Sequence, residues 1–272
     1  MDAGSRLDRR VPRCNLGRDW GRPVYTCGMD PTIARVRDLL RQASAVAALT
    51  GAGISAESGI PTFRGPGGIW RTYRAENLAT PEAFAKDPKL VWEWYNFRRG
   101  VIAGVEPNAG HRALAELERR KESFGLITQN VDGLHDRAGS RNLLKVHGDI
   151  WTLRCTVCAS ERSDMSAALP ELPPNCACGG MERPGVVWFG EGLPEQIWIN
   201  AQRAVLHAQV LLVIGTSAVV YPAAGLAALA KRSGAVLVEI NIADTPVSAQ
   251  ADYSLRGPAA EILPELLKPK MQ

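Results

Sequence analysis

Five short apolar runs, at 45–49, 124–128, 143–146, 210–215 and 235–240, recur along the chain, with helical patterns such as 111–120 and 195–208 between several of them. Runs of that length suit buried strands, and strands alternating with helices form a parallel sheet covered on both faces. The first helix is predicted over 31–43. Asp30 suits its N-cap, Pro31 its first position, and Ile33, Val36, Leu39 and Leu40 recur at helical spacing. Two stretches break the rhythm: 65–107 is loop-rich and then helical, and 151–184 holds cysteines and prolines with few aliphatics. The expected fold is therefore α/β, a Rossmann-like doubly wound parallel sheet. A smaller lobe is expected from a helical or flap insertion at 66–106 and a cysteine-bearing module at 151–184. The large domain then comprises 30–65, 107–150 and 185–268, and the cleft between lobes is the default binding site.

The 272 residues suit one large domain carrying a small insertion, and 46% hydrophobic with 22% charged residues is ordinary for a globular chain. The net charge is +4. Six arginines and four aspartates among the first thirty residues supply +2 of it, so nothing demands a nucleic-acid partner. No apolar run reaches the ~18 residues of a membrane span, and none is expected. The first thirty residues lack an apolar signal core, and their aspartates argue against a transit peptide. Residues 1–29 are expected to be a disordered tail, or to precede a true start at Met29. Four of the six cysteines cluster, which points to metal in a reducing cytoplasm, whereas Cys14 and Cys27 read as incidental.

The run at 45–49 leads into Gly51-Ala52-Gly53-Ile54-Ser55, with a helix able to follow from Ser55. Glycines there let a backbone approach a pyrophosphate at a helix N-terminus. The third glycine of the dinucleotide fingerprint is absent, because residue 56 is Ala, so a plain strand-to-helix turn competes equally. The string GAGISAESGIPTFRGPGGIW, Gly51 to Trp70, closely resembles the signature of the sirtuins over twenty consecutive positions. The resemblance continues from about Pro31 to Pro264. It implies NAD binding by Gly51, Ala52, Gly53, Ile54 and Ser55, with Phe63, Arg64 and Trp70 on a flap that closes over the dinucleotide.

Two further segments gain meaning from the resemblance. Gln129, Asn130, Val131 and Asp132 follow an apolar run, where parallel sheets bind ligands, although a capped turn is the bland alternative. The matching sirtuin residues contact the nicotinamide and ribose of NAD. His147 follows another run; histidine titrates near neutrality, yet a lone one beside a strand is more often packed or solvated. The matching sirtuin histidine is the catalytic base, with Asn130 and Asp132 as catalytic partners. The implied mechanism begins when an acyl-lysine carbonyl oxygen attacks the anomeric carbon of the nicotinamide ribose. His147 then helps deprotonate a ribose hydroxyl, which attacks the imidate, and water completes transfer to O-acyl-ADP-ribose and free lysine. NAD is consumed as co-substrate. The strand ends Gly215-Thr216-Ser217 and Asn241-Ile242-Ala243, with Ala259 near the C-terminus, match contacts to the adenosine half.

Cys155-x2-Cys158 and Cys176-x-Cys178 supply two thiolate pairs within one Pro-rich insertion. Four thiolates suit a closed tetrahedral zinc site that is structural and does no chemistry. Val187, Trp188, Phe189, Gly190 and Glu191 resemble the sirtuin segment that receives an acylated-lysine protein substrate as an added strand; a buried returning strand is the alternative. Most relatives carry His where Gly185 stands.

Asp87-Pro88 reads as the start of a helix whose core face is predicted to be Leu90, Trp94, Phe97 and Val101. Val91, Tyr95 and Arg98 fall on the adjacent strip. In one sirtuin subgroup a Tyr-x-x-Arg pair here lies in the acyl pocket and recognises succinyl- or malonyl-lysine. A guanidinium fork and a phenol suit a carboxylate, which an acetyl group lacks. The expected protein is thus an NAD-dependent protein-lysine deacylase of the desuccinylase/demalonylase type that also accepts acetyl-lysine. The rivals are a mono-ADP-ribosyltransferase, a deacetylase without acidic preference and a non-catalytic zinc and NAD-binding module.

Overall fold

The computed structural model describes residues 15–19, 22–26, 31–62 and 78–269. The N-terminal segment contains a short antiparallel pair, β1 (Asn15–Asp19) and β2 (Arg22–Thr26). There follow α1 (Pro31–Gln42), β3 (Ala45–Thr50), a 3-10 helix (Ala52–Ser58), α2 (Pro81–Lys86), α3 (Pro88–Ala103), α4 (Ala109–Arg120) and β4 (Ser123–Thr128). Next come α5 (Leu134–Arg137), β5 (Leu143–Lys145), β6 (Gly148–Cys155), β7 (Glu161–Ser163) and β8 (Glu182–Val186). The chain ends with α6 (Glu195–His207), β9 (Val210–Ile214), α7 (Gly225–Arg232), β10 (Val236–Asn241), β11 (Tyr253–Arg256) and α8 (Ala259–Leu267).

Six strands form a parallel sheet in the order β11-β10-β9-β3-β4-β5. Its central strands are buried along nearly their whole length, as both-face coverage requires. The two-residue period of β3 divides the core: Val46 and Ala48 pack with Leu114 and Ile262, beneath α4 and α8, while Ala47 and Leu49 pack with Val205 and Leu226, beneath α6 and α7. Arginines close the far end of α8. Arg37 donates to the Glu265 carbonyl at 2.5 Å, Arg120 to that of Leu267 at 2.9 Å and Arg41 to that of Lys268 at 2.8 Å. These cations meet orphan carbonyls at the negative end of the helix dipole.

The smaller lobe has its own core, in which Phe84, Val91, Trp92, Tyr95, Ile150, Leu153 and Trp188 meet. Its antiparallel sheet, β7-β6-β8, runs from Gly148 to Val186, so it extends past both ends of the insertion expected at 151–184. The strands β6 and β8 approach very closely. A Cβ on Gly148, whose φ is +77°, would stand 2.2 Å from the Gly185 carbonyl oxygen, and one on Gly185 would stand 2.6 Å from Thr152 Cβ. A side chain such as histidine has no room at position 185 in this packing.

The predicted core face of α3 is corrected in part. Trp94 is buried as expected, but Leu90 and Phe97 are 45% and 68% exposed, and Val91, Tyr95, Arg98 and Ile102 are buried. Polar reach decides between the two apolar strips. The Trp92 indole donates to the Glu182 carbonyl at 2.8 Å. Arg99, fully buried, donates to the carbonyls of Ile150, Asp164 and Ser166 and to Asp164 Oδ1 at 3.0 Å, and lies 4.9 Å from the Trp151 ring centre. A guanidinium so deep needs acceptors for its donors, and only the small sheet offers them. Arg99 thereby ties α3 to β6 and the loop after β7.

Arg99→Met is expected to lower stability by about 3 kcal/mol, because several buried acceptors lose their donor at once. Urea unfolding measures this; a loss under 1 kcal/mol contradicts the tie.

Candidate active site

Strand order reverses direction between β3 and β9, so the loops leaving their carboxyl ends diverge and open a crevice. The two loops touch at its base. Gly51 N–H donates to the Ile214 carbonyl at 3.0 Å, and Gly53 N–H to the Gly215 carbonyl at 2.7 Å. A Cβ on Gly53 would meet the Gly215 backbone at 2.7 Å, and Gly215 adopts φ +55°. These glycines therefore permit loop-on-loop contact, in the same loop that the sequence expectation places against a pyrophosphate. For the same reason the helix starts at Ala52 rather than at Ser55.

Above this contact lies a cleft of about 600 Å³, within the ordinary range for small-molecule sites. Gly51, Ala52 and Gly53 line it after β3, Gln129, Asn130 and Val131 after β4, and His147 after β5. Gly215, Thr216 and Ser217 line it after β9, Asn241, Ile242 and Ala243 after β10, and Ala259 at the start of α8. Tyr95, Arg98, Val187, Trp188, Phe189, Gly190 and Glu191 close it from the smaller lobe. Ile54, Ser55 and Asp132 do not line it. Ile54 belongs to the core, and Ser55 and Asp132 lie under the floor, beside a smaller cavity of about 60 Å³. Phe63, Arg64 and Trp70 lie outside the described residues. Sequence reasoning missed Glu57, Tyr221, Pro222, Asp244, Thr245 and Pro246, which also line the cleft. The last five follow β9 and β10, so extending the strand-end rule by a few residues would have found them.

His147 is held for one task. Its Nδ1 lies 3.1 Å from the Gln129 carbonyl oxygen. A carbonyl only accepts, so Nδ1 carries the proton and Nε2 keeps a lone pair for the cleft. Burial pushes the imidazole pKa below its ordinary value, partly offset by that hydrogen bond, so the ring is a neutral base at neutral pH.

Beneath it runs a closed polar network. Ser55 Oγ donates to Asp132 Oδ2 at 2.7 Å and accepts from Asn130 Nδ2 at 3.3 Å. His111 Nδ1 accepts the Asn108 N–H within the N-terminal capping box of α4, so its Nε2 carries the proton that points to Ser55 Oγ at 3.3 Å. Asp132 Oδ1 accepts the Leu134 N–H at 2.9 Å. Burial pushes the Asp132 carboxyl up, against the pull of the Leu134 and Ser55 donors. Thr216 joins the remaining loops: its Oγ1 accepts from Gln129 Nε2 at 3.0 Å and its carbonyl from Asn241 Nδ2 at 2.9 Å.

The cysteines come together at the edge of the small sheet. Cys155 and Cys178 Sγ are 3.5 Å apart, Cys158 and Cys176 Sγ 3.7 Å, and all four lie within 4.8 Å of one another. Tetrahedral Zn–S bonds of about 2.3 Å put sulfurs about 3.8 Å apart, so the set fits zinc. Hydrogen bonds from Ser160 lower Cys158 to about 6. At Cys178 the Gly180 amide pulls down, but its three cysteine neighbours push the thiol up to about 12. One charge opposes the next, and a divalent cation removes that conflict. The cluster joins the end of β6 to the loop before β8, as a closed structural site does.

Known proteins share this arrangement. A model of the Sir2 family matches residues 51–222. An NAD-dependent protein deacylase of Aquifex aeolicus is 52% identical over 216 residues, 79% of this chain and 90% of the relative. NAD-dependent protein deacylase 1 of Archaeoglobus fulgidus is 53% identical over 222 residues, 81% and 91%. A crystal structure of a Sir2 homolog–NAD complex superposes with TM-score 0.82 at 50% identity, covering 88% of this chain and 93% of that one. A Sir2–p53 peptide–NAD+ structure superposes with TM-score 0.77 at 32% identity, covering 86% and 97%.

The buried histidines predict how stability depends on pH. Burial lowers His111 from 6.5 to about 4, and His135 shifts the same way. Below pH 6.5 the unfolded chain binds protons that the folded chain refuses, so stability is full above 6.5 and falls as pH drops towards 4. The loss from His111 reaches about 3 kcal/mol. Urea midpoints between pH 7 and 4.5 measure it, and His111→Gln flattens the slope; an unchanged slope contradicts the assignment.

Proposed function

The chain belongs to the Sir2 family and is an NAD-dependent protein deacylase, and from that premise we propose that its acyl pocket is built for succinyl- and malonyl-lysine, with acetyl-lysine also accepted. The observation that carries this is Arg98 beside Tyr95 in the wall of the cleft that His147 also lines. Both are buried, at 8% and 2% exposure, and the guanidinium carbon stands 4.9 Å from the Trp94 ring centre and 5.6 Å from that of Tyr95. Burial works against the Arg98 charge, and an acyl carboxylate reverses that cost through a bidentate pair. An acetyl group offers it nothing.

The roles of the remaining residues follow from position. Bound NAD supplies an electrophilic ribose carbon when nicotinamide departs. His147 Nε2 takes the proton of a ribose hydroxyl, with its tautomer set by the Gln129 carbonyl. Asn130, supported by Gly51 O at 3.1 Å and by Ser55, presents its amide at the floor; Asp132 holds that floor through Ser55. Gly215, Thr216, Ser217, Asn241, Ile242, Ala243 and Ala259 border the half of the cleft suited to adenosine. Phe63, Arg64 and Trp70 are proposed as the covering flap.

The substrate peptide is proposed to pair with the 187–191 segment as an added strand. Val187 N–H is bonded to the His147 carbonyl and Phe189 N–H to that of Ala79, both at 2.9 Å, which stiffens the segment along the cleft. Solved Sir2 relatives hold peptides. Among the described residues no helix is long and apolar enough to cross a membrane. A cytoplasmic setting is proposed, supported by thiols arranged for a metal.

With NAD and matched peptides, kcat/KM is expected to be higher for succinyl- and malonyl-lysine than for acetyl-lysine. Arg98→Met lowers the succinyl value about 100-fold, the worth of a charge-assisted pair, while acetyl turnover survives. Equal losses on all peptides, followed by mass, contradict the acidic pocket; ADP-ribosylated protein without free lysine contradicts deacylation.

A further inference from the structure

Trp188 fills the core of the smaller lobe and belongs to the proposed peptide-pairing segment, but its side chain points to a further task. Its indole Nε1 lies 3.0 Å from the Tyr95 hydroxyl oxygen, and the two side chains are 3% and 2% exposed. An indole N–H can only donate, so the phenol oxygen is the acceptor. The phenol's own proton is then left to be given elsewhere. A phenol that donates is the form an anion needs, and one that must also find a donor for itself is free to turn.

The indole is itself clamped. The Arg183 guanidinium stacks 3.4 Å from the Trp188 ring centre, and the Phe84 ring packs against Trp188 with ring centres 5.2 Å apart. Arg183 is held by Glu191 through contacts of 2.5 and 2.9 Å, and Glu191 Oε2 also accepts the Trp188 N–H at 2.8 Å. Arg183, held by Glu191, and Phe84 from α2 thus pack against an indole whose N–H meets the acyl-pocket phenol. Stacked, desolvated cations and charge-assisted pairs are the stronger contacts available for such a purpose.

We infer that Trp188 is a positioning residue for acyl selection: its indole N–H commits the Tyr95 hydroxyl to donate to an acyl carboxylate, so that side-chain recognition and peptide docking share one residue. This rests on the acidic-acyl reading of the pocket.

The test is a double-mutant cycle on the full-length protein with NAD and matched succinyl- and acetyl-lysine peptides. Trp188→Phe keeps an aromatic ring beside Arg183 and Phe84 and removes the N–H. It is expected to raise KM for the succinyl peptide about five- to tenfold relative to the acetyl peptide, the worth of one neutral hydrogen bond, with kcat changing less. In a Tyr95→Phe background the same substitution leaves the succinyl-to-acetyl KM ratio unmoved. Equal KM changes on both peptides, or an undiminished effect in the Tyr95→Phe background, overturn the inference. Preference lost in Arg98→Met and Tyr95→Phe but kept in Trp188→Phe overturns it while sparing the acidic pocket; no acidic preference in the unaltered protein overturns both. Should Trp188→Phe fail to fold, the Trp188 indole proton resonance decides. It shifts in Tyr95→Phe if the hydrogen bond exists, and an unmoved resonance overturns the inference.

Discussion

The hydrogen bond from Gly53 N–H to the Gly215 carbonyl, 2.7 Å long, holds the two halves of the sheet together where their loops part. No side chain fits between those loops, since a Cβ on Gly51, Gly53 or Gly215 would stand within 2.9 Å of the opposing backbone. The cleft floor is therefore built from main chain, and the side chains that face the cleft start from fixed points. Thr216 then joins β4 to β10 by accepting from Gln129 and Asn241, and Gln129 in turn sets the tautomer of His147. The imidazole proposed as the base, the Gln129 amide and the loops proposed for adenosine are all placed from one backbone contact.

The second organising element is α3, which is buried on two sides. Arg99 faces the small sheet and Arg98 faces the cleft; successive helical residues point about 100° apart, which permits neighbours to serve different bodies. The cysteine cluster orders the small sheet, the small sheet supplies the acceptors of Arg99, and Arg99 fixes the helix that carries Tyr95 and Arg98. A metal held by the cysteines and the proposed acyl pocket are thus connected through packed, hydrogen-bonded contacts.

Much of this was legible before any coordinates. The strands β3, β4 and β9 are almost wholly apolar, and β10 is broken only by Glu239, because both faces of a parallel sheet are covered; all four stand within a residue or so of their expected places. Strand-end residues were recognisable as cleft residues by the same topology. The small sheet was not: β6 carries Gly148 and Arg154, and β8 carries Pro184 and Gly185, so no two-residue period shows. Its register follows from a close backbone approach that only the folded structure reveals. The orientation of α3 differs from its apolar pattern because the choice of face depends on where Trp92 and Arg99 find acceptors, not on which strip is more apolar. Ser55 and Asp132 sit in the right segments yet point under the floor, because each satisfies the other.

The most direct test of the acidic acyl pocket is a crystal structure of the protein with a non-hydrolysable NAD analogue and a succinyl-lysine peptide. The predicted result has the succinyl carboxylate within hydrogen-bond distance of both the Arg98 guanidinium and the Tyr95 hydroxyl, with the amide carbonyl facing the side of the cleft that holds His147. A carboxylate turned to solvent, out of hydrogen-bond reach of both Arg98 and Tyr95, would contradict the account.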